Sequence, residues 1–131
     1  MANQFLKLNV VKATFDPSGD ATKRVLAAHS SGVFIPAGAI IMKSMYDVLT
    51  TFTSGTSAAT IAVSVASAND IVTATAISVG TTWNNVAALV AGTPISAATA
   101  IKLSADKEVI FTVGGEVITA GKLDFYIEYY L

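Results

Sequence analysis

Thr60-Ile61-Ala62-Val63-Ser64-Val65-Ala66-Ser67 alternates strictly, with Ile61, Val63 and Val65 on one side and Ala62, Ser64 and Ala66 on the other. A period of two is the signature of a half-buried β-strand. The C-terminus repeats it with larger groups: Leu123, Phe125, Ile127, Tyr129 and Leu131 share one face, and Asp124, Tyr126, Glu128 and Tyr130 share the other. The first set reads as core, and the second as a surface that is solvated or held against a partner. Val109, Phe111 and Val113 alternate in the same way before Gly114-Gly115, so residues 108–119 read as a hairpin, with Ala120-Gly121 turning into the last strand. The core predicted from these segments is Ile61, Val63, Val65, Val109, Phe111, Val113, Leu123, Phe125 and Ile127.

Working outward, residues 5–15 read as a first strand with Leu6, Leu8 and Val10 on one face, followed by the turn Asp16-Pro17-Ser18-Gly19-Asp20. Residues 22–29 read as a second strand. Ile35-Pro36-Ala37-Gly38 fits a turn with Pro at its second position. It leads into residues 39–52, where Ile40, Met42, Tyr46, Val48 and Phe52 share one parity and Ile41, Met45 and Leu49 the other, as in a central strand covered on both faces. Residues 68–92 read as surface loop with a turn of helix that Asn69 or Asp70 could cap, although Thr73 and Thr75 weaken the helix. Ser57-Ala58-Ala59-Thr60 and Ser96-Ala97-Ala98-Thr99 echo each other in a chain rich in Thr and Ala, where chance matches are common. Seven or eight short strands separated by turns predict an all-β fold with little helix, a single jelly-roll-like β-sandwich over residues 1–131.

Composition narrows the function. The chain is 53% hydrophobic but 13% charged, about half the charge of an ordinary soluble domain. Such a surface is expected to be covered by copies of itself or by a larger assembly, a trimer first and a dimer second. Eight scattered bases and a net charge of −1 leave no basic stripe for nucleic acid. Apolar runs are all interrupted well short of about 18 residues, so no transmembrane helix is expected. The opening Met1-Ala2-Asn3-Gln4-Phe5 lacks a secretory signal and reads as a cytosolic start, which also disfavours a membrane barrel.

With no cysteine and one histidine, thiolate zinc, a cysteine nucleophile and a two-histidine metal site are all excluded. His29 reads as a strand-end residue beside Ser30 and Ser31, without a matched nucleophile and acid. Asp16 and Asp20 bracket a glycine but lack the further ligands of a calcium loop, so an ordinary turn is favoured. Asp106 and Glu108 flank Lys107 and read as solvated turn charge. An enzyme reading would be a glycan hydrolase using some of Asp106, Glu108, Asp124 and Glu128, but strand alternation gives no convergent pair. Trp83, followed by Asn84 and Asn85, could stack on a sugar while the amides bond its hydroxyls, or could be a packing anchor. Tyr126, Tyr129 and Tyr130 stand as interface anchors or as core and edge packing. No catalytic residue, cofactor or metal ligand is expected.

Several phrases occur in a telling order: Phe5-Leu6-Lys7-Leu8-Asn9-Val10-Val11-Lys12-Ala13, Gly32-Val33-Phe34-Ile35-Pro36-Ala37-Gly38-Ala39-Ile40-Ile41, Val48-Leu49-Thr50-Thr51-Phe52-Thr53, Thr60-Ile61-Ala62-Val63-Ser64-Val65, and Leu123-Asp124-Phe125-Tyr126-Ile127-Glu128-Tyr129. In this succession the chain resembles small virion proteins of tailed bacteriophages, and is similar to capsid decoration, or cement, proteins. The resemblance implies a non-enzymatic protein on the outer capsid surface, with the major capsid protein as partner. A similar β-rich style in tail and fibre proteins leaves a glycan- or receptor-binding role as the alternative.

Overall fold

A computed structural model describes residues 7–94 and 99–131; the readings of Phe5, Leu6, Ser96, Ala97 and Ala98 lie outside the described residues. The described chain runs β1 (Leu8–Phe15), a 3-10 turn (Ala21–Arg24), β2 (Ala28–Ile35), β3 (Ile40–Ser54), β4 (Thr60–Ser64), β5 (Val72–Ala76), β6 (Val90–Ala91), β7 (Ile101–Lys102), β8 (Lys107–Gly114) and β9 (Ile118–Tyr130). One sheet has the order β1-β9-β3-β6, with β7 also on β3, and the other the order β2-β8-β4-β5. Every pairing is antiparallel. The pairs β1·β9, β2·β8, β3·β6 and β4·β5 are the rungs of one long folded hairpin. Rolling it so that β3 also meets β9 and β4 meets β8 gives the two sheets of a jelly roll. The expected all-β sandwich is the fold observed.

All nine residues of the predicted core are buried. Their rings and those of their neighbours form a closed circuit between the sheets. Phe15 stacks on Phe52 (centroids 6.0 Å) and on Phe111 (5.0 Å). Phe52 meets Trp83 edge-on (6.1 Å), Trp83 stacks on Tyr46 (4.9 Å), Tyr46 on Phe125 (5.3 Å), and Phe125 meets Phe111 edge-on (6.1 Å). β1, β3 and β9 supply four of these rings, β8 one, and the loop between β5 and β6 supplies Trp83. Offset and edge contacts of this kind add roughly 0.5–1.5 kcal/mol each beyond simple burial. Gly121, at φ +145, belongs to this circuit, since a Cβ there would fall into the Phe52 ring.

Several expected elements differ. Gly114-Gly115 reverses the chain, but β8 and β9 do not pair: the link crosses from one sheet to the other, so residues 108–119 are not a hairpin. A glycine pair permits the reversal without dictating which sheet receives the chain. Ala120-Gly121 lies inside β9 as a bend where the β3 register shifts. Residues 22–29 are not one strand, because the Asp20 carboxylate accepts from the Thr22 N–H and starts the 3-10 turn, so β2 begins at Ala28. β3 is not covered on both faces. Its register steps from Ile41↔Tyr129 to Lys43↔Glu128, and this extra residue moves the inward parity from Ile41 to Ser44, Tyr46 and Val48. Met45 and Leu49 are thereby turned outward. In residues 68–92 the expected helical turn gives way to strand β5, consistent with β-branched Val72, Thr73 and Thr75. Asp70 bonds the Val65, Ala66 and Ser67 N–H groups instead of capping a helix.

Phe111 touches rings on both sides of the circuit, so Phe111→Ala is expected to lower unfolding free energy by roughly 3–5 kcal/mol. Denaturant titration checks this, and a midpoint equal to that of the unmodified protein would contradict the core.

Candidate interaction surface

Of the nine acids in the chain, most are engaged in holding loops. Asp16 accepts from Gly19 N–H and Asp20 from the Thr22 hydroxyl and N–H, so the Asp16–Asp20 segment is a self-bonded turn. Asp106 accepts from Ala37 N–H, Glu108 from the Ser30 hydroxyl and Gly32 N–H, and Asp124 from the Thr14 hydroxyl. Glu116, which the sequence reading passed over, is the most heavily bonded. It sits on the link between β8 and β9 and accepts from Ser54 Oγ (2.6 Å), Thr56 N (3.0 Å) and Oγ1 (3.1 Å), and Ala58 N (3.1 Å). One carboxylate thus ties together two links that cross between the sheets. A Glu just after a Gly-Gly pair was the available signal, but its partners lie about 60 residues away in sequence.

The acids considered for hydrolysis do not converge. Asp106 and Glu108 lie at the start of β8 in one sheet, and Asp124 and Glu128 lie on the outer face of the other. No group of three or more His, Asp or Glu among the described residues could hold a metal ion. His29 is an inward residue of β2; its Nε2 lies 2.8 Å from the Val25 carbonyl and its ring rests on Phe15. Tyr46 is buried between Trp83 and Phe125, and burial pushes its hydroxyl well above the usual tyrosine range, so it stays neutral.

Trp83 is a packing anchor and not a sugar platform. It is 0% exposed, and its indole N–H donates to the Thr75 carbonyl at 3.0 Å, leaving no ring face for a ligand. Asn84 is exposed and Asn85 half-buried, beside no exposed ring of Trp83; the Asn85 side chain accepts from Ala87 N–H within its own loop. The three tyrosines separate by parity. Tyr129, at 8% exposure, points inward with Ile127 and Phe125, whereas Tyr126 and Tyr130 are half-exposed on the outer face of the β1-β9-β3-β6 sheet.

That outer face can be followed row by row from the register. Leu8 sits beside Tyr130, Val10 beside Glu128 and Lys43, Lys12 beside Tyr126 and Met45, and Thr14 beside Asp124 and Asp47. Leu8 (50% exposed), Val10 (56%) and Leu49 (46%) are open on it. The β1 face expected to carry Leu8 and Val10 is therefore the solvent side, and the core takes Ala13 and Phe15. The result is a broad, mixed surface on which aromatic and aliphatic groups alternate with charged rows, Glu128 beside Lys43 and Asp124 beside Asp47, suited to contact.

The same architecture is found in phage particles. The chain shares the fold of chains in three phage capsid structures. A chain in the cyanophage Pam1 capsid asymmetric unit matches with TM-score 0.69 and 16% identity, covering 100% of this chain and 90% of that one. A chain in the acid-stable capsid structure of Helicobacter pylori bacteriophage KHP30 matches with TM-score 0.66 and 16% identity, over 95% and 87%. One in the capsid of Ralstonia phage GP4 matches with TM-score 0.54 and 17% identity, over 94% and 84%. No protein-family model matches the chain, and no curated protein sequence is similar to it.

Glu116 makes a pH prediction. The Ser54 hydroxyl bond first, then the Thr56 and Ala58 N–H bonds, hold its carboxyl down at about 2, against 4.5 ordinarily. A depressed carboxyl stabilises the folded state fully above the ordinary value and loses that contribution as pH falls towards about 2. Glu116→Gln is expected to lower the melting temperature at neutral pH, with the gap to the unmodified protein closing between pH 4.5 and about 2. Melts across that range check it; a gap that is constant with pH would contradict the clasp.

Proposed function

We propose that this chain is a non-enzymatic phage structural protein, a capsid decoration or cement protein that binds the outer surface of the assembled head and stabilises it, with the major capsid protein as partner. The observation that carries this reading is the fold likeness over nearly the whole of both chains to components of three phage capsids. Those chains are covered to 84–90%, so they are little longer than this one and correspond to it as whole chains. The site chemistry supports the same reading. Most of the acids are held by loop amides and hydroxyls, and the lone histidine faces the core, which leaves extended surface as the means of action. Modest contacts repeated over a symmetric shell sum to a large effect.

On this reading the half-exposed Tyr126 and Tyr130 anchor the contact with the shell. Aromatic anchors at an interface are worth about 2 kcal/mol, roughly thirty-fold in affinity. Co-sedimentation with heads lacking the protein is expected to show saturable binding, weakened to that degree by Tyr126→Ala or Tyr130→Ala and unchanged by Asp106→Ala, with thermal melts as the folding control. Full binding by both tyrosine variants would remove this face from the contact, and no binding by the unmodified protein would overturn the decoration role. The tail-fibre alternative relies on a sugar-stacking Trp83, and that ring is buried.

A further inference from the structure

The two sheets have four edges, and three of them are built against further pairing. β2 is bulged between Ser30 and Phe34, with Gly32 at φ +75 and the Glu108 carboxylate closed over the bulge. β5 meets β4 with a register shift after Ile61, and β6 is two residues long. Bulges, short strands and covering groups are the usual means of blocking edge association. Among the described residues β1 has no bulge or covering group, and Lys12 is the one charge on its outward row. The strand runs eight residues, contains no proline, and keeps an unbroken register with β9 from Leu8↔Tyr130 to Phe15↔Leu123.

The direction of its free hydrogen-bonding groups follows from one pair. Lys7 and Leu131 exchange both backbone bonds at 3.1 Å, so alternate residues Asn9, Val11, Ala13 and Phe15 also face β9 with their N–H and C=O groups. The backbone groups of Leu8, Val10, Lys12 and Thr14 therefore point away from the sheet, and β1 pairs with β9 alone among the described residues. The side chains of the same four residues are exposed, with Leu8 at 50% and Val10 at 56%. An edge with open amides and open aliphatic groups is a template for another strand.

We propose that β1 pairs antiparallel with β1 of a second copy across a two-fold axis at Val11, joining the two β1-β9-β3-β6 sheets into one. The register is selected by the residues themselves. Pairing outward-bonding residues about Val11 sets Leu8 opposite Thr14 of the copy and Val10 opposite Lys12 of the copy, using the whole open edge. Moving the axis to Lys12 would oppose the two lysines, and moving it to Val10 would leave Thr14 unpaired. In the chosen register each Lys12 lies over the other copy's Val10, on the row that continues to Glu128, so the long cation is directed towards an acid. An isologous pairing of this kind closes at two copies, a dimer and not a trimer. The inference does not depend on the capsid reading.

The edge permits a clean test, because the Val10 N–H serves no bond to β9. Val10→Pro removes the outward donor without breaking the β1–β9 ladder, and Val10→Lys opposes a lysine to Lys12 of the copy. Sedimentation equilibrium of the full chain is expected to give twice the 13.5 kDa chain mass for the unmodified protein. Both variants should shift the dimer dissociation constant upward by about tenfold or more, while Val10→Asp, which faces Lys12, should dimerise better than Val10→Lys. Circular dichroism confirms the fold of each variant, and Val10→Lys decides the matter should Val10→Pro unfold. A single-chain or three-chain mass for the unmodified protein at high micromolar concentration would overturn the proposal, as would a dimer that Val10→Lys leaves unchanged. Head binding is measured separately, so a monomer that still sediments with heads would refute the edge pairing and leave the decoration role standing.

Discussion

The closed circuit of Phe15, Phe52, Trp83, Tyr46, Phe125 and Phe111 is the constraint on which the rest of the molecule rests. Its members come from both sheets and from one loop, so it can close only when the long hairpin has been rolled and the loop between β5 and β6 has been drawn over the open end. The Phe52 N–H bonds the Trp83 carbonyl at 3.1 Å, fastening that loop to the strand whose ring Trp83 touches. Two glycines make room for it: Gly121 beneath Phe52, and Gly92, where a Cβ would collide with the buried Ser44 hydroxyl and press on Phe125. No buried side-chain nitrogen or oxygen among the described residues is left without a partner, so this apolar interior is not offset by orphaned polar groups.

A jelly roll sends its chain repeatedly from one sheet to the other, and those links need fixing without secondary structure. This chain does it with carboxylates. Glu116 and Asp106 accept from backbone N–H groups of links that cross between the sheets, the Asp16–Asp20 turn bonds itself, and Asp70 and Glu108 do the same for the β4–β5 link and the β2 bulge within one sheet. The low charge content follows from the same economy. Acids are placed mainly where a loop needs an acceptor, leaving broad stretches of Ser, Thr, Ala and Val outside, as expected of a protein whose surface is meant to be covered.

The period-two segments were legible because alternation is local: residues 60–65 and 123–130 declare their inward faces without reference to anything distant. Some local signals were misread, as where Asp20 starts a 3-10 turn inside residues 22–29, but most of what failed to show was non-local. Gly114-Gly115 marks a reversal but not a change of sheet, and the two apolar parities of β3 looked like a strand covered twice because a bulge at Met42 cannot be seen without its β9 partner. Trp83 next to two asparagines is compatible with a sugar platform until Thr75 and Tyr46 are found around it. The outer-face tyrosines separated from Tyr129 by simple parity, which the sequence already contained. Glu116 was missed because the donors that meet its carboxylate, Ser54, Thr56 and Ala58, are distant in sequence.

On the proposed reading, the outer sheet face of this jelly roll is what meets a phage shell. A cryo-electron microscopy reconstruction of the heads of a phage carrying its gene is the sharpest test of that reading. The account predicts density of this jelly roll at symmetric positions on the outside of the shell, with Tyr126 and Tyr130 facing the capsid protein beneath. Heads bare of that density, with the jelly roll found in the tail or absent from the particle, would contradict it.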